Sequence, residues 1–80
     1  MKFHTIKSIK PLENLILEVV FSDGEIKKYD IKKIIKKYEN FKDLENKDLF
    51  NKAKIDIGGY GIVWNEDIDL SSEEIWANGY

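Results

Sequence analysis

Carboxylates are numerous in this 80-residue sequence, but neither they nor the other residue types that perform catalysis have a spacing that favours a reaction. The chain has no cysteine and a single histidine, His4. A catalytic histidine would need a nucleophilic partner, and the four serines occupy predicted strand, turn and helix-cap positions. We therefore predict a protein that is not an enzyme and needs no cofactor.

Two short motifs resemble ligand-binding loops but lack essential residues. The pattern N-x-D-x-D-x-S from Asn65 begins like a calcium loop, yet leucine replaces the turn glycine and Trp76 replaces the bidentate glutamate. The pattern G-G-x-G from Gly58 resembles a phosphate loop, but it leads into the strand-like GIVW rather than a helix N-terminus. We interpret both motifs as turns and predict no metal site.

Basic side chains are concentrated in one segment of the chain. Residues 27–37 contain six lysines and one acid, and the whole sequence lacks arginine. Lysine clusters supply the sequence-independent part of nucleic-acid affinity, whereas bidentate guanine contacts need arginine. The alternative function is therefore a nucleic-acid-associated regulator with the basic face Lys27, Lys28, Lys32, Lys33, Lys36 and Lys37. An ordinary solvent-exposed face explains the same lysines without a ligand.

The opposite end of the chain is acidic and aromatic. Residues 65–80 contain five acids and no base. Because aromatic side chains are enriched at binding hot spots and charge complementarity steers association, we predict the partner-binding residues Glu73, Glu74, Trp76 and Tyr80. Packing of Trp76 over the edge of a sheet is the competing interpretation. The principal prediction is a protein-binding module, and a homodimer is compatible with it.

The stretch Leu12–Asp30 is predicted to form the hairpin around which the chain is organised, with Asp-Gly in its turn. A three-residue loop ending in a left-handed Gly24 pairs Leu17 with Tyr29 and Glu18 with Lys28. A two-residue loop would not pair apolar with apolar and acid with base, so we prefer the bulged register. It assigns the core face Leu15, Leu17, Val19, Phe21, Tyr29 and Ile31, with Leu15 opposite Ile31.

The remaining elements complete a single α+β domain over residues 1–80. We predict a small antiparallel sheet, formed by a three-stranded meander plus a second short hairpin, with two or three short helices. Before the first hairpin we predict a strand over Phe3–Lys10, with Ile6 and Ile9 on opposite faces. After it we predict a helix over Ile31–Tyr38 capped by Asp30, a helix over Lys47–Lys52 capped by Asn46, and a hairpin over Ile55–Trp64. The chain then forms a C-terminal helix with the capping box Ser71/Glu74, the staple Leu70/Ile75 and the C-cap Gly79.

The composition is that of an ordinary globular protein. The chain is 42% hydrophobic and 35% charged, which excludes the disordered class. No run approaches the roughly 20 apolar residues of a membrane span, and the N-terminus lacks a signal-peptide core. We therefore expect a cytoplasmic protein without membrane contact.

The order of several short motifs resembles the small bacterial domain-of-unknown-function 2442 family. The shared landmarks are Val20-Phe21, Asp23-Gly24-Glu25, Tyr29-Asp30, Leu49-Phe50, the turn Gly58–Gly61, Val63-Trp64 and Asp69-Leu70. The resemblance implies a compact α+β domain without catalytic residues. Some members carry an added helix-turn-helix domain, which we do not expect here, and others are similar in setting to small antitoxins. The resemblance therefore implies a partner protein, such as a toxin-like protein encoded nearby. The proline and glycine that the family often has near Asn65 and Asp67 are absent here.

Overall fold

A computed structural model describes residues 3–80, so the first two residues of the predicted domain lie outside the described range. Within that range the chain forms two antiparallel three-stranded sheets, ordered β1-β2-β3 and β4-β5-β6. The elements are β1 (Ile6–Pro11), β2 (Ile16–Phe21), β3 (Ile26–Asp30), α1 (Ile31–Ile35), α2 (Lys47–Phe50), β4 (Lys54–Ile55), β5 (Gly61–Asn65), β6 (Ile68–Ser71) and α3 (Ser72–Asn78), with 3-10 turns at Glu13–Leu15, Glu39–Glu45 and Ile57–Gly59. The predicted α+β class is confirmed.

The β2–β3 hairpin has the predicted bulged register. Leu17 pairs with Tyr29 and Glu18 pairs with Lys28. Gly24 has φ +93°, in the left-handed region that glycine adopts without a Cβ penalty. Its N–H donates to the carbonyl of Phe21 at 2.9 Å, which closes the three-residue loop.

The register fails at the other end of the hairpin. Ile16 pairs with Asp30, and the predicted pair of Leu15 with Ile31 does not form. Leu15 has φ +58° and ends a 3-10 turn, so the chain leaves the strand before this pair is reached. Leu15 is therefore only partly buried against the core.

Strand β1 begins at Ile6, three residues later than predicted, and it contains a bulge. The bulge lies between Ile6 and Ser8, so that Ile6 pairs with Phe21 and Ile9 pairs with Val19. Directly opposed residues project to the same side of an antiparallel sheet. The prediction that Ile6 and Ile9 lie on opposite faces is therefore wrong, because one extra residue resets the alternation.

The two short helices have the predicted caps but end early. The Asp30 side chain accepts from the Lys32 N–H, and the Asn46 side chain accepts from the Asp48 and Leu49 N–H groups. After α1 the N–H groups of residues 37 and 38 both donate to the Ile34 carbonyl, and the backbone then becomes extended at Tyr38 (φ −132°). Tyr38 is consequently 56% exposed and does not continue the apolar stripe.

The second sheet contains the predicted hairpin and one more strand. Ile55 of β4 pairs with Ile62 of β5, and β6 adds the pair of Ile62 with Leu70 on the other side. The Asn65 side chain accepts from the N–H groups of Asp67 and Ile68, at 2.9 and 3.0 Å. The first half of the acidic motif is thus a tight β5–β6 turn, and its second half is strand β6, which the sequence interpretation missed.

Side chains from both sheets and all three helices share one hydrophobic core. Its buried members are Ile6, Leu17, Val19, Phe21, Tyr29, Ile31, Ile34, Phe41, Leu44, Phe50, Ile62, Trp64, Ile68, Leu70 and Ile75. Five of the six predicted hairpin core residues are among them. The core holds α1 and α3 over the first sheet, and this arrangement positions the candidate site.

Candidate functional site

Helix α3 has the predicted N-cap, but its first glutamates bond to other parts of the chain. The Ser71 Oγ accepts from the Glu74 N–H at 3.1 Å, and the staple residues Leu70 and Ile75 are buried. The Glu74 Oε2 accepts from the Tyr29 hydroxyl at 3.0 Å and from the Asn78 side chain at 2.8 Å. Burial, followed by the bond to Glu74, raises the pKa of Tyr29 above its usual range. Glu74 therefore ties α3 to β3.

Glu73 holds the N-terminal segment against the same helix. The His4 backbone N–H donates to Glu73 Oε2 at 2.8 Å, and His4 Nδ1 lies 2.9 Å from Glu73 Oε1. The backbone hydrogen bond from His4, followed by the side-chain bond, lowers the pKa of Glu73 below its usual range. The structure thus assigns Glu73 an intramolecular contact.

Trp76 is half-buried and packs over the end of the first sheet. Its ring stacks on His4 with centroids 3.8 Å apart and planes inclined by 12°, and it meets the Phe21 ring edge-on at 5.0 Å. The Lys27 Nζ lies 5.0 Å from the ring centroid, within the range of a cation–π contact. The sequence left Trp76 either as a partner-binding residue or as a residue packed over the edge of a sheet, and the structure shows the packing.

Tyr80 extends the first sheet beyond β3. Its N–H donates to the Lys28 carbonyl and its carbonyl accepts from the Lys28 N–H, both at 2.9 Å. The preceding Gly79 caps α3 by donating to the Ile75 carbonyl, but with φ −75° it is extended rather than left-handed. A Cβ at Gly79 would lie 2.6 Å from that carbonyl oxygen, so glycine permits the close approach. The Tyr80 side chain remains 67% exposed.

The six predicted lysines do not share one face. Lys27 and Lys28 are neighbours on β3 and therefore project to opposite sides of the sheet. Lys32 pairs with Asp30 at 3.0 Å. The others are exposed on α1 and on the turn after it, at Lys33, Lys36 and Lys37.

A groove between α1 and α3 brings members of the two predicted sets together. It has a volume of about 250 Å³ and lies over the end of β3. Lys33 and Lys37 line it from one side, and Glu74 and Tyr80 line it from the other. Tyr29, Asp30, Ile34, Tyr38 and Asn78 complete the lining. Two surfaces that the sequence separates are thus one site, which we call the α1–α3 groove.

An apolar patch elsewhere on the molecule was missed by the sequence interpretation. Ile57 is 93% exposed at the tip of the β4–β5 loop, and Tyr60 and Phe3 are 54% and 59% exposed. The Phe3 and Tyr60 rings meet edge-on with centroids 5.7 Å apart. These residues and Ile55 form the Ile57 patch. Polar and apolar residues alternate in the segment KIDI, which predicts a strand that includes Ile57. The sequence therefore does not indicate that Ile57 lies in a loop.

Hydrogen bonds fix the loop that presents this patch. The Asp56 side chain accepts from the Ile57 N–H at 2.8 Å, and the Asp56 carbonyl accepts from the Gly59 N–H at 3.0 Å. Gly58 and Gly59 have φ near +80°, and the chain passes from them into β5 as the turn interpretation predicted. Ile57 is therefore held away from the core by a defined turn.

Residues 3–80 lack two further features, a metal-binding cluster and a membrane-spanning helix. No group of three histidine, cysteine or acidic side chains in this range is placed to hold a metal ion. No helix in the same range is both long and apolar enough to cross a membrane.

The lowered pKa of Glu73 predicts a local response to acid. When folding lowers the pKa of a carboxyl group, its ionised form stabilises the fold at any pH above the pKa in the unfolded chain. This stabilisation is lost as the pH falls through the lower pKa of the folded protein. We expect the His4 amide proton resonance to move with a midpoint below 4.5, the ordinary value for Glu73. Titration by NMR between neutral and acidic pH measures it.

Glu73→Gln should remove this step, and the matched variant Glu66→Gln, on the β5–β6 turn, should leave it. A midpoint at the ordinary glutamate value, or a step that survives in Glu73→Gln, would contradict the contact.

The fold and groove define a small α+β domain of two three-stranded sheets with an aromatic and basic groove. A family profile described as a protein of unknown function, DUF2442, matches residues 6–80. The chain belongs to this family, as the order of its motifs predicted. A comparison with curated proteins gives no match.

The fold is similar to that in the crystal structure of Putative DNA Binding Protein NE0471 from Nitrosomonas europaea ATCC 19718, with a TM-score of 0.78 and 17% sequence identity. The similarity covers 96% of this chain and 51% of that chain. The present chain therefore spans about half the length of that protein.

Proposed function

We propose that this chain is a non-enzymatic, cytoplasmic protein-binding module that acts, like a small antitoxin or inhibitor, by binding a partner protein. The observation that carries the proposal is the Ile57 patch. Large apolar side chains that are exposed together on a soluble domain mark interaction surfaces, and here a 93% exposed isoleucine lies on the loop that leads to Tyr60, whose exposed ring meets that of Phe3.

The shape of the patch indicates the partner surface that fits it. Ile57 stands on a convex loop, so its partner must offer a concave apolar pocket. Full burial of an isoleucine side chain stabilises a complex by about 1.5–3 kcal/mol. Because hydrogen bonds from the Ile57 and Gly59 N–H groups to Asp56 already fix the loop, little ordering entropy is lost on binding.

The test compares Ile57→Asp with Ile26→Asp. Ile26 is also exposed, at 60%, but it lies on β3 outside the patch, so it is a matched control. The immobilised chain is used to isolate a discrete protein from its native host, and the purified pair is then measured by calorimetry. We expect Ile57→Asp to weaken binding by at least about tenfold, a loss of 1.4 kcal/mol or more, and Ile26→Asp to change it little.

Equal affinities for the two variants would remove the patch from the interface. Failure of the wild-type chain to retain any discrete protein would contradict the proposed function itself. If a partner is isolated, expressing it with and without this chain tests inhibition, because an antitoxin restores growth that its partner suppresses.

A nucleic-acid-associated role is the second candidate, supported by the exposed lysines on and after α1. Within residues 3–80 no acidic side chain pairs with Lys33, Lys36 or Lys37. The structural neighbour's name also refers to DNA binding, although this chain spans only half of that protein. Titration of the chain with a 20-base-pair DNA duplex and with an acidic peptide separates this role from protein binding.

A further inference from the structure

We propose that the α1–α3 groove binds an acidic segment of a partner protein, with carboxylates beside apolar side chains. The inference rests on the proposed function and deepens it, because it assigns a second contact surface and the chemistry of its ligand. None of the four residues of the Ile57 patch lines the groove.

The acidic residues of the groove are already bonded. The Asp30 carboxylate accepts from the Lys32 N–H and pairs with the Lys32 ammonium, each at 3.0 Å. The Glu74 Oε2 accepts two hydrogen bonds, from Tyr29 and Asn78. Lys32 therefore compensates the charge of Asp30, whereas Glu74 has its Oε2 occupied by two neutral donors and keeps its negative charge.

The basic residues of the groove lack such partners. Lys33 and Lys37 are exposed, four residues apart, and neither pairs with an acid within residues 3–80. Lys36 adds a third unpaired ammonium group beside them. The charge available to a ligand is consequently positive, which is complementary to an acidic segment.

The aromatic walls favour a peptide over a polynucleotide. Tyr38 and Tyr80 are 56% and 67% exposed, and tyrosine is enriched at protein interfaces because its ring offers apolar area with a polar tip. A single carboxylate needs only the two ammonium groups, while its apolar neighbour packs against the rings.

The Tyr80 wall is partly pre-positioned. Two hydrogen bonds to Lys28 fix its backbone, and Gly79 allows the chain to pass close to the end of α3. Pre-positioning reduces the entropy lost on binding. Removing the ring without the backbone, in Tyr80→Ala, therefore isolates the contribution of the wall.

The test uses NMR titration of the isotope-labelled chain with three defined probes. They are a blocked ten-residue peptide of alternating glutamate and leucine, its lysine–leucine counterpart, and a 20-base-pair duplex. We expect only the acidic peptide to bind, with the largest amide shifts at Lys33, Lys37, Tyr38 and Tyr80. Lys33→Glu/Lys37→Glu should weaken binding by at least about tenfold.

The control is Lys47→Glu/Lys52→Glu, which changes the net charge equally at two exposed lysines outside the groove. We expect it to weaken binding less than threefold. Equal losses for the two double variants, shifts centred elsewhere, or no binding would each overturn the inference. Binding of the duplex instead, with a steep salt dependence, would overturn it in favour of the nucleic-acid role.

The same variants separate this inference from the proposed function. If a purified partner binds Lys33→Glu/Lys37→Glu as tightly as wild type, the groove is not part of the interface and the protein-binding function stands. If no partner binds wild type, the proposed function fails whatever the peptides do.

Discussion

Gly59→Ala is expected to destabilise the domain by about 3 kcal/mol, a value that combines left-handed strain with a displaced backbone. Gly59 has φ +79°, and a Cβ there would lie 2.8 Å from the Ile6 carbonyl oxygen and 3.1 Å from the Ile6 nitrogen. The contact joins the β4–β5 loop to the start of β1. Relief of the clash would therefore move one sheet away from the other. Urea unfolding followed by circular dichroism measures the loss.

Gly24→Ala is the matched control for backbone strain. Gly24 also has a left-handed φ, +93°, but a Cβ there meets nothing within 4 Å. We expect a loss of about 1 kcal/mol, from the conformational term alone. Similar losses for the two variants would show that the approach of the Gly59 loop to β1 is not tight.

Trp64→Ala is expected to destabilise the domain by about 3–5 kcal/mol, the usual range for truncating a buried aromatic residue. Trp64 is 7% exposed, and its Nε1 donates to the Phe50 carbonyl at 3.1 Å. The side chain thus joins β5 to the end of α2. An 80-residue domain has a total stability of roughly 4–12 kcal/mol, so this variant should be partly or wholly unfolded at 37 °C. Thermal and urea unfolding measure the effect.

Two further variants show why Trp64→Ala should destabilise the domain: one keeps a ring at position 64, and the other removes the second tryptophan for comparison. Trp64→Phe retains an aromatic ring but leaves the Phe50 carbonyl with only the long hydrogen bond from the Ala53 N–H, at 3.4 Å, so we expect a loss of about 1–3 kcal/mol. Trp76→Ala removes the other tryptophan, which is half-buried, and we expect a loss below about 2 kcal/mol. A larger loss for Trp76→Ala than for Trp64→Ala would contradict the assignment of Trp64 to the core.

Features set by local chemistry were predictable from the sequence. The hairpin register follows from turn type and from the pairing of neighbours such as Glu18 and Lys28. The caps at Asp30, Asn46 and Ser71 also follow from residues within three positions. In each case the decisive contacts involve side chains and backbone groups that are close along the chain.

Features set by distant contacts were not predictable. Strand β6 has four residues and looks like the approach to a helix, and its strand character depends on pairing with β5. The bulge in β1 shifts the alternation by one residue, which only the partner strand reveals. Tyr38 continues a helical stripe in the sequence, but the helix ends at Ile35 because the chain turns into a 3-10 segment.

The candidate site shows the same limit. Sequence composition identified Lys33, Lys37, Glu74 and Tyr80, yet it assigned them to alternative functions. They come together because α3 packs against β3 and α1 packs against β2, so that two helices separated by about half the chain flank one groove. The intramolecular use of Glu73 by His4 likewise depends on a contact between residues 69 positions apart.

The pair formed by Lys28 and Tyr80 has a consequence for solubility. Strand β3 is the outer strand of its sheet, and an open strand edge is a template for pairing with another molecule. Tyr80 occupies the N–H and carbonyl of Lys28 on that edge, and the lysine side chains of β3 add charge there. Tyr80 therefore blocks the pairing of another strand with β3 at Lys28, and we expect a variant lacking Gly79 and Tyr80 to self-associate as its concentration rises.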